Sequence, residues 1–330
     1  MSPALALPLF AVSLAVTLGA ARLFARRLDR LGVRFGFPEA LIGVLTAVAA
    51  DGPNVSSALF ALIKGAHDVG VGVLVGSNTF QLAAMIGMSA LLAGGVRVAR
   101  ETLALEGAVG LVVTVLATVV LLRWLSPVGA VLLSLLVVVP YLALVVGGQR
   151  LSERPGSRLR RLVHALHEHP GPELPPDTTT NPTHHLLGLI VLDCVLIVAG
   201  SVGMVQAALS LGGDWHISGT VLGVLILAPM TSLPNAVTAI RLGLADRGAA
   251  LVGETFNSNS INLAVGVIGP SLFVTFAALS SLAKQQLGFL LVMTIAAVGL
   301  LAPRGGMRRP GAGVLVILYF AFVVGTLVQA

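Results

Sequence analysis

The sequence predicts an all-α polytopic membrane protein with ten transmembrane helices, and its composition and the form of its apolar runs support this fold class. Of the 330 residues, 56% are hydrophobic and only 10% are charged, whereas a typical soluble domain has about 25% charged residues. The apolar runs are continuous over about 20 residues or more, which is the length of a helix that crosses a bilayer. Strands of a membrane barrel would instead alternate over about 10 residues. A water-soluble globular fold is therefore excluded.

The apolar runs fall into two groups of five predicted spans. The first group is 4–25, 38–63, 67–95, 102–122 and 126–147. The second group is 185–211, 216–242, 247–278, 281–302 and 311–329. Between the two groups lies the only long polar segment, 148–184, which is rich in Arg, Pro, His and Thr. We therefore predict a first five-helix unit at 1–147, a linker at 148–184 and a second five-helix unit at 185–330.

The positions of the basic residues predict how the chain is oriented in the membrane. Alternate loops carry 17 of the Lys and Arg residues, including those of the polar linker, and the opposite loops carry 3. Because cytoplasmic loops are enriched in Lys and Arg, we expect a cytoplasmic linker and both termini outside, in a bacterial inner (plasma) membrane. The basic residues are thus a topology signal, which removes nucleic acid as an expected partner. The expected partners are the lipid bilayer and inorganic cations.

An internal repeat relates the two halves at a constant offset of 181 residues and needs no gap. Pro53-Asn54 aligns with Pro234-Asn235, and Ser77-Asn78 aligns with Ser258-Asn259. Because each half has an odd number of spans, the second copy must enter the membrane in the opposite sense to the first. Inverted repeats of this kind are typical of secondary transporters.

The repeated residues interrupt the predicted spans with polar and helix-breaking groups. Proline removes a backbone donor, and irregular backbone at membrane depth is tolerated only where it is buried in protein or lines a cavity. We therefore predict broken helices at Pro53, Gly76, Pro234 and Asn257. The carbonyls, hydroxyls and amides at these breaks are the oxygen ligands that hard cations such as Na⁺ and Ca²⁺ bind.

These motifs resemble those of the sodium/calcium exchanger superfamily of cation/Ca²⁺ antiporters. The segment 231–235 (TSLPN) followed by 253–262 (GETFNSNSIN) is similar to the second alpha-repeat of that family, and 53–54 with 72–81 is similar to the first. The resemblance implies a cation bound at the midplane between the two repeats. It also implies that a glutamate should follow the proline in each repeat, but this chain has Asn54 and Asn235 there.

Two other carboxylates lie in the same region, Asp51 and Glu254. Ionisable residues at membrane depth are costly and point to function, although Asp51 is also suited to cap the helix that follows it. Asp193 lies outside both repeats and is predicted to pair helices. The predicted ion-binding residues are Asp51, Asn54, Ser77, Asn78, Gln81, Thr231, Ser232, Asn235, Glu254, Ser258, Asn259 and Asn262.

The predicted function is cation antiport coupled to protons or sodium, with Na⁺, H⁺ or Ca²⁺ as the transported cation. The low count of carboxylates argues against tight Ca²⁺ binding, because Ca²⁺ affinity rises with ligand charge. Two alternatives stay open: transport of an uncharged or organic solute, and a membrane scaffold that does not transport. The chain has no phosphate-binding or nucleophile motif and a single cysteine, Cys194, so we expect neither enzymatic activity nor a cofactor.

Overall fold

The computed structural model describes residues 1–35, 39–152 and 182–329, and these residues are mostly helical, as the sequence predicts. The described ranges contain ten long helices and two short strands. The first five helices are α1 (Pro3–Arg34), α2 (Glu39–Ile63), α3 (His67–Ala93), α4 (Arg100–Leu121) and α5 (Pro127–Ser152). The other five are α6 (Thr183–Asp214), α7 (Gly219–Leu244), α8 (Gly248–Leu263, continued by a π-helical turn at Ala264–Ile268), α9 (Ser281–Leu301) and α10 (Arg309–Val328). The strands are β1 (Gly95–Arg97) and β2 (Gly306–Arg308).

Eight of these helices are long and apolar enough to cross a membrane, and the two others are α2 and α8. Helix α2 contains a shorter apolar stretch, Ala47–Ile63, and α8 carries Glu254 and the polar run 257–262. The polar residues of these two helices include six predicted site residues: Asp51, Asn54, Glu254, Ser258, Asn259 and Asn262. Of the predicted linker 148–184, residues 153–181 lie outside the described part of the chain.

Two predicted span boundaries differ from the helices. The eighth span was predicted to continue to 278, but the regular helix ends at Ile268 and is followed only by a short 3₁₀ turn, Pro270–Leu272. Gly269 is still helical, with φ −59° and ψ −56°, and Pro270 begins the 3₁₀ turn, where its nitrogen has no hydrogen with which to continue the π-helical hydrogen bonds. The first span was predicted to end near 25, but α1 continues to Arg34. The arginine-rich stretch after residue 25 is helical, although it is too polar to have been counted as part of a membrane span.

Four helices form the centre of the protein: α2, α3, α7 and α8 contact one another. Helix α3 is the most buried of the candidate membrane helices, whereas α1, α5, α6 and α10 leave many large apolar side chains exposed, as helices facing lipid would. Helices α1 and α6 pack together and against α2. An ion pair between Arg27 on α1 and buried Asp193 on α6 joins the two helices, so the prediction that Asp193 pairs helices is confirmed.

The predicted helix breaks are wrong, because the helices continue through Pro53, Gly76, Pro234 and Asn257. A proline removes one backbone donor, but its ring fixes φ near the helical value, so a single lost hydrogen bond does not end a transmembrane helix. The backbone is irregular at three other places, which are π-helical turns at Leu82–Met88 in α3, Leu222–Leu227 in α7 and Ala264–Ile268 in α8. Turns of this kind are frequent at functional sites.

Gly76 serves to bring α3 and α7 into backbone contact. A Cβ atom added at Gly76 would lie 2.7 Å from Val224 Cα and 2.8 Å from Val224 O. One turn away, a Cβ at Gly72 would meet Thr220 O at 3.2 Å, and a Cβ at Gly223 would meet Val69 O at 2.5 Å. Small residues spaced in this way allow membrane helices to approach closely. The approach brings polar side chains of the two halves within hydrogen-bonding distance.

Gly76→Ala should therefore destabilise the protein strongly. The added methyl group would overlap backbone atoms of Val224, which cannot move aside as a flexible side chain can, and overpacking of this kind costs about 1–3 kcal/mol or more. We expect a clearly lower apparent melting temperature in detergent. Gly288→Ala on α9 is the control, since nothing lies within 4 Å of its added Cβ. Equal melting temperatures for the two variants would contradict this account of the α3–α7 contact.

The loops segregate to two ends of the helix bundle. At one end, β1 and β2 pair antiparallel, with Val96 opposite Met307, and Arg97 forms an exposed ion pair with Asp246. This places the α3–α4, α7–α8 and α9–α10 connections together. At the other end, the Arg123 guanidinium donates to the carbonyl of Phe276, which joins the α4–α5 and α8–α9 connections. The loops predicted to share a side thus lie together.

Candidate cation-binding site

A buried polar cluster lies where α2, α3, α7 and α8 meet. Each helix contributes two or three side chains from the polar motifs of the sequence, and all of them are at most 2% exposed. Residues on neighbouring turns of a helix share a face when they are three or four positions apart, which is the spacing of the two members on α2, on α3 and on α7. On α8 the same spacing relates Ser258 to Asn262, whereas Asn259 accepts a bond from Asn78 through its backbone carbonyl. The members are Asp51, Asn54, Asn78, Gln81, Ser232, Asn235, Ser258, Asn259 and Asn262.

Asp51 is the centre of the cluster, and its two carboxylate oxygens differ sharply. Five side-chain donors from all four helix segments converge on Oδ1: Asn54 Nδ2 at 3.3 Å, Gln81 Nε2 at 3.2 Å, Asn235 Nδ2 at 2.9 Å, Ser258 Oγ at 2.7 Å and Asn262 Nδ2 at 3.2 Å. The other oxygen, Oδ2, is buried and has no hydrogen-bond partner among the described residues. The cluster therefore holds the carboxylate firmly by one oxygen and leaves the other available.

Further hydrogen bonds fix the donors around Asp51. Ser232 Oγ donates to Asn54 Oδ1 at 3.2 Å, and Asn262 Nδ2 donates to Asn78 Oδ1 at 3.1 Å. Asn78 Nδ2 in turn donates to the backbone carbonyl of Asn259 at 3.2 Å. Each of these bonds joins one half of the chain to the other. Side chains locked by such partners are pre-organised for ligand binding.

Several acceptor oxygens of the cluster are buried without a donor. Within the described residues these are Asp51 Oδ2, Asn235 Oδ1, Asn259 Oδ1 and Asn262 Oδ1. A buried polar atom without a partner is costly and in a native structure calls for an explanation, such as an ion. Carboxylate and amide oxygens are ligands for hard cations. The unpartnered oxygens are thus of the type that serves as ligands in a cation site.

Three of the predicted site residues do not join this network. The hydroxyls of Ser77 and Thr231 donate to backbone carbonyls of their own helices, Leu74 O at 3.1 Å and Leu227 O at 2.8 Å. Glu254 lies on α8 one helical turn before Ser258, and no hydrogen bond to Asp51 is present in the described structure. Its Oε2 atom is buried without a partner. Glu254 therefore lies beside the cluster but does not contact Asp51 through a hydrogen bond.

The sequence interpretation missed a second polar cluster beside the first. Glu106 on α4 and Tyr141 on α5 are buried at 4% and 5% exposure, and the tyrosine hydroxyl contacts both Glu106 and Asn257 of α8. Glu106 lies near the start of an apolar span, where a carboxylate would ordinarily reach the membrane surface. The sequence does contain a signal for Glu106: it is an ionisable residue one turn inside a predicted span, and ionisable residues at membrane depth point to function.

The charge of the central site is low. The described residues contain no group of three or more His, Cys, Asp or Glu side chains placed to hold a metal ion. The centre instead combines one carboxylate with amides and hydroxyls. The residues that follow the two prolines, Asn54 and Asn235, are neutral, and both donate to the Asp51 carboxylate.

Comparison with known proteins identifies relatives along nearly the whole chain. The model of the family described as "Sodium/calcium exchanger protein" matches residues 5–147 and 185–328. Inner membrane protein YrbG of Escherichia coli is 28% identical over 292 residues, which cover 88% of this chain and 86% of YrbG. CaxA of Alkalimonas amylolytica, named as an antiporter, is 26% identical over 287 residues, which cover 86% of this chain and 85% of CaxA.

Solved structures share the fold. The H⁺/Ca²⁺ exchanger CAX superposes with a TM-score of 0.72 at 15% identity, covering 98% of this chain and 86% of CAX. The sodium-calcium exchanger NCX_Mj superposes with a TM-score of 0.62 at 20% identity, covering 97% of this chain and 98% of NCX_Mj. At these identities the likeness concerns the fold, and the chemistry of the site rests on the residues of this chain.

Proposed function

Because this chain belongs to the sodium/calcium exchanger family, as a divergent member without the two alpha-repeat glutamates, we propose that it is a cation antiporter whose cargo binds at Asp51. The observation that carries the proposal is the buried Oδ2 atom of Asp51, which has no hydrogen-bond partner in the described part of the chain while Oδ1 accepts five donors. A cation at Oδ2 would complete the coordination of the carboxylate. The relatives named for their activity are exchangers or antiporters rather than enzymes, which supports transport.

The ligands of the cation are Asp51 Oδ2 and the amide oxygens of Asn235, Asn259 and Asn262, which are all buried and receive no hydrogen bond from the residues that the structure describes. Together they carry a single negative charge. Because Ca²⁺ affinity rises with the number of charged ligands, this set favours Na⁺ over tightly bound Ca²⁺. Na⁺ or a proton is the coupling ion. Either would neutralise Asp51 Oδ2, and the coupling ion and the transported cation would therefore exclude each other from the site.

In this proposal the ten helices form two inverted repeats, 1–147 and 185–330, joined by the linker 148–184. Two cross-connections support it: Asp51 bonds Asn235, and Ser232 bonds Asn54. At the offset of 181 residues, position 51 corresponds to 232 and position 54 to 235, so a two-fold axis between the copies would exchange the two bonds. The π-helical turn at Leu82–Met88 likewise corresponds to Ala264–Ile268. The turn at Leu222–Leu227 has no such counterpart in α2.

The test is transport by the purified protein in proteoliposomes. Na⁺, K⁺, Ca²⁺ and pH gradients are varied one at a time, and uptake of labelled Ca²⁺ or Na⁺ is followed. We expect cation uptake that requires an opposing gradient of a second cation and is absent in Asp51→Asn vesicles. Uptake that no counter-gradient affects, or that Asp51→Asn leaves unchanged, would contradict antiport at Asp51. Failure to move any of these cations would favour the two alternatives, transport of an uncharged solute or a scaffold role.

The orientation in the membrane is a separate prediction. The protein lies in the bacterial inner membrane with the linker in the cytoplasm and both termini outside, as the basic loops indicate. In a Cys194→Ala background, a cysteine at position 213 should react with an impermeant thiol reagent from outside only, and a cysteine at 156 only after the cytoplasm is opened. Gly213 tolerates the change, because nothing lies within 4 Å of its added Cβ. The reverse pattern of labelling would overturn the orientation.

A further inference from the structure

A second buried carboxylate lies outside the central site, at the contact of α4, α5 and α8. The hydroxyl of Tyr141 lies 3.0 Å from Glu106 Oε1, 2.9 Å from Glu106 Oε2 and 2.6 Å from Asn257 Oδ1. Glu106 is 4% exposed, and no cationic side chain of the described residues forms an ion pair with it. A burial this complete requires either a neutral acid or another form of compensation.

The hydrogen atoms of this cluster can be counted. The phenol of Tyr141 carries one hydrogen, but its oxygen is in hydrogen-bonding contact with both the Glu106 carboxyl group and Asn257 Oδ1. One hydrogen cannot serve two bonds. The oxygen–oxygen distances of 2.6–3.0 Å are those of O–H···O hydrogen bonds, which leaves no space for a metal ion between the oxygens. With Asn257 Oδ1 facing Tyr141, as in this structure, a single proton on Glu106 completes the count.

With that proton, Glu106 donates to Tyr141 Oη and Tyr141 donates to Asn257 Oδ1. When the proton leaves as H⁺, the carboxylate needs the hydrogen of Tyr141 for itself. The tyrosine oxygen then becomes an acceptor, so Asn257 must turn its amide and donate through Nδ2. The protonation of Glu106 thus determines which atom of Asn257 faces Tyr141. We propose that Glu106 is a proton-binding site and that Tyr141 transmits its state to Asn257 on α8.

The surroundings of Glu106 contain few other charges. On α4 itself, Arg100 and Glu101 are exposed at the start of the helix. Helix α5 contributes Tyr141, and the π-helical turn Ala264–Ile268 contributes no charged residue. Helix α9 contacts α4 at Val298 beside Gly107, about 14 residues from Lys284, its only charged residue within that helix. None of these elements places a positive charge beside Glu106 that would favour loss of its proton.

Helix α8 carries the remaining neighbour, Glu254, and the link to the central site. Gly253, the residue before Glu254, faces Glu106, and a Cβ added there would lie 3.8 Å from Glu106 Oε1. Asn257 directly precedes Ser258, whose hydroxyl donates to Asp51 Oδ1 at 2.7 Å. The coupling of Glu106 to cation exchange rests on the proposed function, whereas proton binding by Glu106 does not.

Infrared difference spectroscopy of the purified protein tests proton binding directly. Acid-minus-alkaline spectra should contain the C=O stretching absorption of protonated carboxylic acids, and Glu106→Gln should remove one band from it, the Glu106 band. Tyr141→Phe should keep the band and shift it to higher wavenumber, because the acid loses its hydrogen-bond acceptor. Glu101→Gln, at the exposed start of α4, is the matched control and should leave the band unchanged. A C=O absorption that is identical in Glu106→Gln and in the wild-type protein would overturn the proposal.

Two measurements separate this proposal from the proposed function. Asp51→Asn should retain the Glu106 band. If the band were lost in Asp51→Asn and kept in Glu106→Gln, the proton would be on Asp51 and not on Glu106, and the inference would be overturned. In proteoliposomes, Glu106→Gln should still exchange cations but with a flattened pH profile, since the amide cannot release a proton. A wild-type pH profile in Glu106→Gln would contradict the link through Tyr141, whatever the outcome for Asp51.

Discussion

Asp51→Asn is expected to abolish cation exchange and to leave a folded protein. The amide keeps the shape of the side chain, and its oxygen can still accept hydrogen bonds at the position of Oδ1, where five donors converge. It removes the single negative charge that the cation would meet at Oδ2. Because cation affinity depends on ligand charge, we expect affinity to fall by roughly a hundredfold, or about 3 kcal/mol.

The measurement is cation binding and counter-flow in proteoliposomes, with the monodisperse elution and melting temperature of the variant as the test of folding. Asp68→Asn is the matched control, because it makes the same chemical change at an exposed position at the start of α3. Glu254→Gln should reduce exchange less than Asp51→Asn does, since Glu254 lies beside the network. Normal exchange in folded Asp51→Asn protein would remove Asp51 from the mechanism and favour an uncharged cargo.

Asn54→Glu combined with Asn235→Glu should create a Ca²⁺ site and make folding depend on Ca²⁺. Both amides donate to Asp51 Oδ1, at 3.3 and 2.9 Å, so the double change removes two donors and places two more carboxylates against a buried one. Like charges this close oppose one another, and the variant should melt at a lower temperature without Ca²⁺. At free Ca²⁺ about 100 times above Kd, binding would return about 2.7 kcal/mol.

The measurement is the melting temperature of the double variant as a function of free Ca²⁺. We expect a rise of several degrees that the wild-type protein does not show at the same concentration. Asn54→Gln combined with Asn235→Gln is the control, because it adds the same length of side chain without charge. A Ca²⁺-dependent rise of equal size in the glutamine variant would show that negative charge is not what limits Ca²⁺ binding at this site.

The mostly helical fold and the residues of the central cluster could be predicted because both depend on local sequence. Apolar runs of fixed length identify membrane helices, and the repeat at an offset of 181 residues identified the polar positions that meet. The detail of the backbone could not be predicted. Pro53 and Pro234 suggested breaks, but a helix held by its neighbours tolerates one missing donor. The π-helical turns consist of ordinary apolar residues, such as Leu82–Met88, which give no signal in the sequence.

The hydrogen-bond partners of individual side chains could not be predicted from the sequence either. Ser77 and Thr231 belong to the same motifs as Ser258 and Ser232, yet their hydroxyls bond their own helices while the others cross between the halves. Rotamers decide this difference, and rotamers depend on packing. The Glu106–Tyr141 contact joins positions 35 residues apart on two helices, and no motif or periodicity relates them.

The lone carboxylate of the central cluster has a consequence for the response to membrane voltage. Asp51 is surrounded by neutral amides and hydroxyls, so the centre carries one negative charge when empty. Bound Na⁺ or a bound proton cancels that charge, whereas bound Ca²⁺ leaves one positive charge. Moving one elementary charge through the full membrane potential is worth about 2.3 kcal/mol per 100 mV. Steps with a monovalent ion bound would thus be insensitive to voltage at this centre, and steps with the centre empty or holding Ca²⁺ would be electrogenic in opposite senses.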